Sequence, residues 1–421
     1  MEFDLTGKSV LLGITGSISA YKACDLARML IKAGADVHIV MSPSATRFVS
    51  PLTFEALTRH PVLTRESESW ATQLNHIELG KECDIFLIAP ATANSINKLS
   101  KGIADNILLE TALAFTKKIL VAPAANTQML ANPYTAGSLK MLAVAEYGII
   151  SPQEKLLACG DVGNGALANI EEIFSKTARA LLEEPFWKDR RVVVTGGGTR
   201  EKIDEVRYLS NFSSGKMARA IALALYSRGA DVCYITTADT QGLPSDIYLI
   251  HVESTQEMLE YTQDAIRIAK KGKMSKATFS SSEPIHLIQK EPYLFMVAAV
   301  SDYAPKYPQK GKLKKSLLGE EWSLELTKTT DIISSLNKEG IVTVAFKAEM
   351  DSQKGIDNAK EMLGAKGVDA VCYNLLQDSH SFGTDEHEVT FITTDGALAL
   401  GKNEKNRLAC DIINVSKGLA K

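Results

Sequence analysis

At 421 residues the chain is too long for one ordinary hydrophobic core, so two domains are expected. With 45% hydrophobic and 23% charged residues and a formal net charge of −3, it reads as a globular protein and not as a general nucleic-acid binder, which carries a basic excess. No apolar run is long enough to span a bilayer, and "MEFDLTGKSVLLGITG" enters a strand without the basic and apolar regions of a signal peptide, so no membrane partner is expected and the cytoplasm is the expected location.

The chain opens with an apolar strand, a Gly/Ser turn, an amphipathic helix and a second strand: "GKSVLLGITGSISAYKACDLARMLIKAGADVHIVMS". Buried parallel strands are short apolar runs, and the helices between them carry apolar residues at i, i+3 and i+4. The turn "GITGSISAYK" places Gly16, Ser17 and Ser19 at a helix N-terminus, which suits a phosphate or simply allows tight helix–strand packing. It is not G-x-G-x-x-G, and the second strand ends "VMSPSATRF", with Ser42 and no carboxylate for an adenosine ribose. A mononucleotide therefore fits better than a dinucleotide.

His76 precedes the strand "CDIFLIAPAT", Asn126 follows the strand "KKILVAPAAN", and Cys159 lies in the glycine-rich "ACGDVGNG". Taken singly, the histidine is an ordinary helix or loop residue, the asparagine a turn former and the thiol an exposed loop residue. The other cysteines, at 24, 83, 233, 372 and 410, show no C-x-x-C spacing or nearby histidine cluster, so neither a disulfide framework nor a zinc site is expected.

As an ordered set these segments resemble the flavin-dependent phosphopantothenoylcysteine decarboxylases, relatives of the peptidyl-cysteine decarboxylases. The shared motifs are "GSISAYK", the histidine, "APATANSINKLSKGIADN", P-x-x-N-x-x-M and "ACGDVGNG", within residues 5–180. The resemblance implies a flavodoxin-like domain with FMN held by Gly16, Ser17, Ser19 and Ser42 and by Ala89, Thr92 and Asn94 of "APATAN". It further implies that His76 assists thiol oxidation, that Asn126 and Met129 hold the substrate carboxylate, and that Cys159 donates a proton. Ala125, Leu130 and Ala166 stand where the family usually has Met, Trp and Arg.

Pro185 bars continuation of the helix in "ARALLEEPFWKDRR", which puts the expected boundary near Arg190: domains 1–189 and 190–421. The opening construction then repeats as "RRVVVTGGG…SSGKMARAIALALYSRGADVCYITT". The expected fold is α/β, two doubly wound Rossmann-like domains with mainly parallel sheets and ligands beyond the strands' carboxyl ends. Further strands are expected in "YLFMVAAVSDY", "IVTVAFKAE" and "VDAVCYNLL", and surface loops in "KKGKMSKATFSSSEP" and "PKYPQKGKLKK".

"SNFSSGK" is not a P-loop, because Ser210 and Met217 occupy the positions of its first glycine and its Ser/Thr. "GGGTRE" is not a dinucleotide fingerprint, because it leads into a polar excursion instead of a helix. Two anion-friendly turns therefore meet at one strand end, or the segment is a plain surface loop. Asp302, just after a buried strand, can meet a metal–phosphate or a ribose. The lysine run around Lys312 is either a solvated face or a flap that neutralises a triphosphate.

"GGTRE…VRYLSNFSSGKM", "AAVSDY", "KLKK", "TTDII" and "AFKAE" resemble the bacterial phosphopantothenate–cysteine ligases over about residues 190–400. The resemblance implies amide formation from 4′-phosphopantothenate and L-cysteine through an acyl-cytidylate made from CTP. In that scheme Asn211 and Lys312 serve the activation step. Met296, Val297, Ala298, Asp302, Lys312, Thr330, Asp331, Ile332, Ile333, Phe346, Lys360 and Lys366 bind CTP. Mg2+ accompanies the triphosphate, with Asp302 as its candidate ligand. The fusion implies a homo-oligomer of trimeric decarboxylase and dimeric ligase domains. The alternatives are an FMN-binding regulatory protein with an impaired decarboxylase domain, or an NAD(P)-dependent reductase.

Overall fold

The computed structural model describes residues 3–156, 162–279, 284–314, 320–350, 354–375 and 386–420. The chain divides into two compact units. One comprises Phe3–Glu183 and Ser275–His286, the other Glu184–Met274 and Leu287–Lys421.

The first unit is built on β1 (Ser9–Ile14), β2 (Asp36–Met41), β3 (Ile85–Ala91), β4 (Lys118–Pro123) and β5 (Gly148–Ile149). They form one sheet in the order β2-β1-β3-β4-β5, with every pair parallel. This is the flavodoxin-like order, which switches direction between β1 and β3. All seven residues of β3 are buried, because helices cover both faces of the sheet. The helix Lys22–Lys32 turns Ala23, Leu26, Ala27 and Leu30 inward at the helical spacing read from the sequence. Phe86, Leu108 and Phe115 belong to the core around β3 and β4.

The second unit carries β6 (Arg191–Gly196), β7 (Asp231–Thr236), β8 (Tyr248–His251), β9 (Tyr293–Met296), β10 (Val342–Glu349), β11 (Ala370–Leu375), β12 (Glu386–Thr393) and β13 (Gly396–Glu404). Their order is β8-β7-β6-β9-β10-β11-β12-β13. The six strands from β8 to β11 are parallel, and β12 and β13 close the edge as an antiparallel hairpin. That hairpin is absent from the sequence-based expectation. Its signal is the alternation in "EHEVTFIT" followed by the two-residue turn Thr394–Asp395 and a glycine, Gly396, that opens the returning strand. The helix Lys216–Ser227 is buried on most sides because it packs against both β6 and the helix Lys405–Ser416.

At the entrance to this unit Trp187 is fully buried, edge-on to Phe186 at 4.8 Å and to Tyr293 at 5.0 Å. The Arg190 guanidinium lies 4.0 Å over the Phe186 ring and donates to the Glu291 carbonyl at 2.6 Å. No described helix is long and apolar enough to cross a membrane.

Candidate functional sites at the strand ends

In the first unit, β1 and β3 are joined at their carboxyl ends by a buried threonine. Thr15 Oγ1 donates to the Pro90 carbonyl at 2.7 Å and accepts from the Thr92 N–H at 3.0 Å. The candidate phosphate turn begins there. Ser17 caps the short helix Ile18–Tyr21, accepting from Ser19 N–H at 3.2 Å. A Cβ on Gly16 would stand 2.4 Å from Ser44 Cβ, so only glycine lets the turn approach the loop after β2 so closely. In that loop Ser42 is 7% exposed and its Oγ has no hydrogen-bond partner. A buried hydroxyl without a partner is costly, and a phosphate oxygen is one group that would satisfy it. Ala89 is buried in β3, Thr92 caps the helix Ala93–Leu99 by accepting from Ser95 N–H at 3.4 Å, and Asn94 is exposed on that helix.

His76 is the first residue of the helix His76–Glu82, whose cap, Asn75, accepts from the N–H groups of Ile77 and Glu78 at 3.0 Å each. Because this helix leads back to the start of β3, its N-terminus faces the carboxyl-end side of the sheet. His76 Nδ1 lies 2.7 Å from Glu68 Oε1, and the Trp70 ring stands edge-on at 5.9 Å. Glu68 is the residue that sequence reasoning missed, a carboxylate eight positions before the histidine. Arg65 continues the chain, donating to Glu68 at 3.3 Å and pairing with Glu110. The Glu110 and Glu68 partners hold Arg65 above its ordinary pKa.

Asn126 caps the helix Thr127–Ala131, its Oδ1 accepting from Gln128 N–H at 2.8 Å. Met129 is 52% exposed on that helix. The adjoining hairpin, Gln153–Leu156 with Val162–Ala166, packs directly on this segment. A Cβ on Gly163 would fall 2.1 Å from Thr127 Oγ1, and one on Gly165 would fall 2.2 Å from the Ala125 carbonyl oxygen. Cys159 lies outside the described residues, between the two arms of this hairpin. Of the family departures, Leu130 is 8% exposed within the core and Ala125 packs against it.

In the second unit the glycine-rich turn follows β6. Gly197 has φ +81°, and a Cβ there would meet Thr237 Oγ1 at 2.2 Å. A Cβ on Gly198 would meet the Asn211 carbonyl at 2.8 Å, so the first turn lies directly on the second. Asn211 Nδ2 donates to the Val300 carbonyl at 2.9 Å, which joins the second turn to the segment after β9. Beneath them runs a buried polar network with no sequence signature. Thr199 Oγ1 accepts from Ser301 N–H at 2.9 Å and lies 3.1 Å from Thr255 Oγ1, which gives its single proton to Glu201 at 2.7 Å. Being mutually satisfied, these groups fix the walls of the site instead of penalising it.

Ser213–Ala218, Val297–Ala299 and Phe346–Ala348 line a cavity with Asn374, His387, Val389 and Lys405. Val297, Ala298 and Phe346 therefore face open space. Met296 (3% exposed) and Ile332 (2%) sit in the core beneath, and Ile333 packs against that core. Met296 and Ile332 therefore shape the walls, and their side chains do not line the cavity. Asp302 is exposed, and its carbonyl accepts from Thr329 N–H at 2.9 Å. Thr330 and Lys312 are also exposed. Lys366 pairs with Asp331 and donates to Ser334 Oγ at 3.2 Å. Burial pushes the Asp331 carboxyl up, and the Lys366 ammonium and the Ser334 donors outweigh it, holding the pKa below its ordinary value. Lys360 is exposed on the same helix, Gly355–Lys366. Six residues of α-helix turn through about 600°, which separates the two lysines by roughly 120° of helix face. The fold does not bring them together.

The lysine-rich loop is tied down by Asp204, whose side chain is wholly enclosed. Asp204 accepts from Arg207 Nη2 at 2.5 Å and from the N–H groups of Val206, Arg207 and Leu313 at 2.8, 2.7 and 3.1 Å. The Arg207 guanidinium holds the Asp204 carboxyl well below its ordinary pKa.

The flavoprotein family profile matches residues 2–182, and that of the DNA/pantothenate metabolism flavoprotein C-terminal domain matches residues 187–278 and 273–418. The coenzyme A biosynthesis bifunctional protein CoaBC of Haemophilus influenzae is 36% identical over 414 residues, covering 97% of both chains. The protein of that name from Bacillus subtilis is 37% identical over 399 residues, covering 93% of this chain and 92% of its own. Among solved structures, a PPC decarboxylase mutant complexed with pantothenoylaminoethenethiol is 35% identical, with a TM-score of 0.38, over 40% of this chain and 96% of its own.

Proposed function

Because the chain belongs to the family of bifunctional coenzyme A biosynthesis proteins, phosphopantothenoylcysteine decarboxylase and phosphopantothenate–cysteine ligase in one polypeptide, we propose a division of labour among its own residues. Residues 190–421 make the amide and residues 1–189 remove the carboxylate from it.

In the ligase half, 4′-phosphopantothenate attacks the α-phosphate of CTP and pyrophosphate leaves. The amine of L-cysteine then displaces CMP from the acyl-cytidylate. Asn211, held by the Val300 carbonyl, orients the activated acyl group. Lys312 offsets charge on the triphosphate from its tethered loop, and Val297, Ala298 and Phe346 wall the nucleotide. Thr330, Asp331 and Lys366 form the neighbouring rim, with Lys360 on a separate helix face. Mg2+ needs few protein ligands, since phosphates and water complete its shell, and the exposed carboxylate of Asp302 suits that role.

In the decarboxylase half, the orphaned Ser42 hydroxyl, the close approach at Gly16 and the Ser17 cap fit an FMN phosphate, with Ala89, Thr92 and Asn94 on the facing strand end. When bound, the flavin accepts the electrons of thiol oxidation and so makes loss of CO2 feasible. His76 takes up the proton of the thiol, Asn126 and Met129 hold the carboxylate, and Cys159 returns a proton to the product. The exposed apolar side chains of the first unit, with Tyr134 at 83% and Leu52 at 69%, support subunit burial in trimers. The ligase units are assigned as dimers, and the location as cytoplasmic.

The observation that supports this reading is the close approach of turns at strand carboxyl ends: Gly16 against Ser44 beside the partnerless Ser42 hydroxyl in the first unit, and Gly198 against Asn211 in the second. Purified protein supplied with 4′-phosphopantothenate, cysteine, CTP and Mg2+ should release pyrophosphate and CO2. Omission of CTP should abolish both. Turnover with ATP at an equal rate would remove the assignment of CTP.

A further inference from the structure

We propose that Asp36, His38 and His60 form a binding site for a divalent transition metal of borderline softness, with Zn(II) as the type case, at the amino-terminal end of β2. His38 Nε2 lies 3.2 Å from Asp36 Oδ2, and His60 Nε2 lies 2.7 Å from Asp36 Oδ1. The three donor atoms lie within 4.8 Å of one another. Two ligands on one tetrahedral zinc, each about 2.0–2.1 Å from it, stand roughly 3.3 Å apart. The His38 separation is therefore already the one a shared cation would set, and the His60 nitrogen, at 2.7 Å on the other carboxylate oxygen, would draw back slightly to admit it. Two imidazoles with one carboxylate favour Zn(II), Co(II) or Ni(II) over Mg2+ or Ca2+, which prefer all-oxygen shells.

The donors are held by backbone that is fixed independently of them. Asp36 and His38 alternate along β2 and so share one face of the strand, and both are in register with β1, opposite Ser9 and Leu11. His60 follows the helix Pro51–Thr58, which ends in Arg59 at φ 62°, and its N–H is bonded to Thr58 Oγ1 at 3.2 Å. Three residues on, Leu63 docks onto β2: its N–H donates to the Ile39 carbonyl and its carbonyl accepts from Met41 N–H, both at 2.9 Å. The two imidazole rings consequently stack at 4.2 Å. Side-chain exposures of 13% for His38, 35% for His60 and 53% for Asp36 leave the trio open to solvent on one side, with room for a water ligand.

The chemistry balances without a co-reactant. Imidazoles that carry their proton on Nδ1 present both Nε2 lone pairs, which with the carboxylate take the cation in place of two hydrogen bonds, any displaced proton passing to solvent. The other trio with this donor chemistry, Glu68, His76 and Glu110, already has the Arg65 guanidinium bonded to both carboxylates. At Asp36 the carboxylate's ion-pair partners among the described residues are the two histidines, with no described lysine or arginine against it.

The test uses the full chain, stripped with a chelator and retaining its flavin, dialysed against micromolar Zn(II). Wild type should retain one more zinc per chain than His60→Ala or His38→Gln. Zn(II) should also raise the melting temperature of wild type and leave that of both variants unmoved. Co(II) should give visible d–d absorption in wild type that both variants lack. Either variant can decide the matter, and both decarboxylation and ligation without zinc should run at the wild-type rate. Equal zinc retention by wild type and variants, or no retention by any, would overturn the proposal.

Discussion

The carboxylate of Asp204 accepts a hydrogen bond from the backbone N–H of Leu313 at 3.1 Å, across 109 residues of sequence, and so tethers the neighbour of Lys312 to the polar excursion of the glycine-rich loop. Arg207 closes the same knot by donating to the Leu313 carbonyl at 3.1 Å. Asp204→Asn leaves a guanidinium without its anion and should loosen residues 306–314. The expected outcome is a KM for CTP raised on the order of ten-fold with decarboxylation unchanged, together with faster amide exchange in the loop.

The same carboxylate sets an acid limit. Its folded pKa is depressed, so the stabilisation it gives is complete above the unfolded carboxyl value of about 3.9 and is lost as pH falls through that value toward the folded one. Proteolysis of the 306–314 loop between pH 6 and 3 should accelerate in wild type, while Asp204→Asn should be cleaved quickly throughout. A wild-type loop equally resistant at both pH values would contradict this.

Ser42→Ala separates a ligand contact from a structural one. The hydroxyl is buried and has no partner, so its removal should leave the flavin-free protein as stable as wild type or slightly more so. Flavin retention, read from the visible spectrum after dialysis, should fall by about ten-fold in affinity, the loss of one hydrogen bond to a charged phosphate. A drop in apo-protein melting temperature with unaltered flavin content would reverse the assignment.

Gly165→Ala should separate the two activities. The added Cβ falls 2.2 Å from the Ala125 carbonyl oxygen, a backbone atom, so the hairpin flanking Cys159 must lift from Asn126. Decarboxylation should fall by at least an order of magnitude with ligation intact. Gly137→Ala is the matched control: it lies within the helix Pro133–Val144 and its Cβ meets nothing within 4 Å, so stability should rise by up to about 1 kcal/mol.

Lys366→Met and Lys360→Met should differ although both lysines lie on one helix. The first strands Asp331 beside Ser334 and so disturbs the Thr330–Ile333 segment. It should raise the KM for CTP several-fold more than the second. Equal effects in steady-state assays would mean that the Asp331 pair does not shape the nucleotide site.

Much of the architecture is legible in the residues because buried parallel strands are continuous apolar runs, as in "IFLIAPA", which a turn of small residues follows. The paired turns around Gly198 and Asn211 are visible for the same reason, since glycine and asparagine density marks backbone that must pass close to something. What binds those turns together is not visible. Thr199 and Thr255 are 56 residues apart, and Asp204 and Leu313 are farther still, so ordinary threonines and aspartates acquire their meaning only from the fold. Lys366 shows the converse. The family resemblance gives it a nucleotide partner, and the fold adds an ion pair with Asp331 that no spacing announces. Glu68 left a faint trace as a carboxylate eight residues before His76, but only the turn between them decides that the two meet.

The aromatic knot at Trp187 has a practical corollary. The chain has three tryptophans, and Trp187 is fully enclosed, whereas Trp70 is 66% and Trp322 42% exposed. A dry indole emits toward the blue and an exposed one toward the red. With Trp70 and Trp322 replaced by Phe, Trp187 becomes a single fluorescent reporter of the second unit. Its red shift with rising denaturant would give that unit's unfolding midpoint within the intact chain.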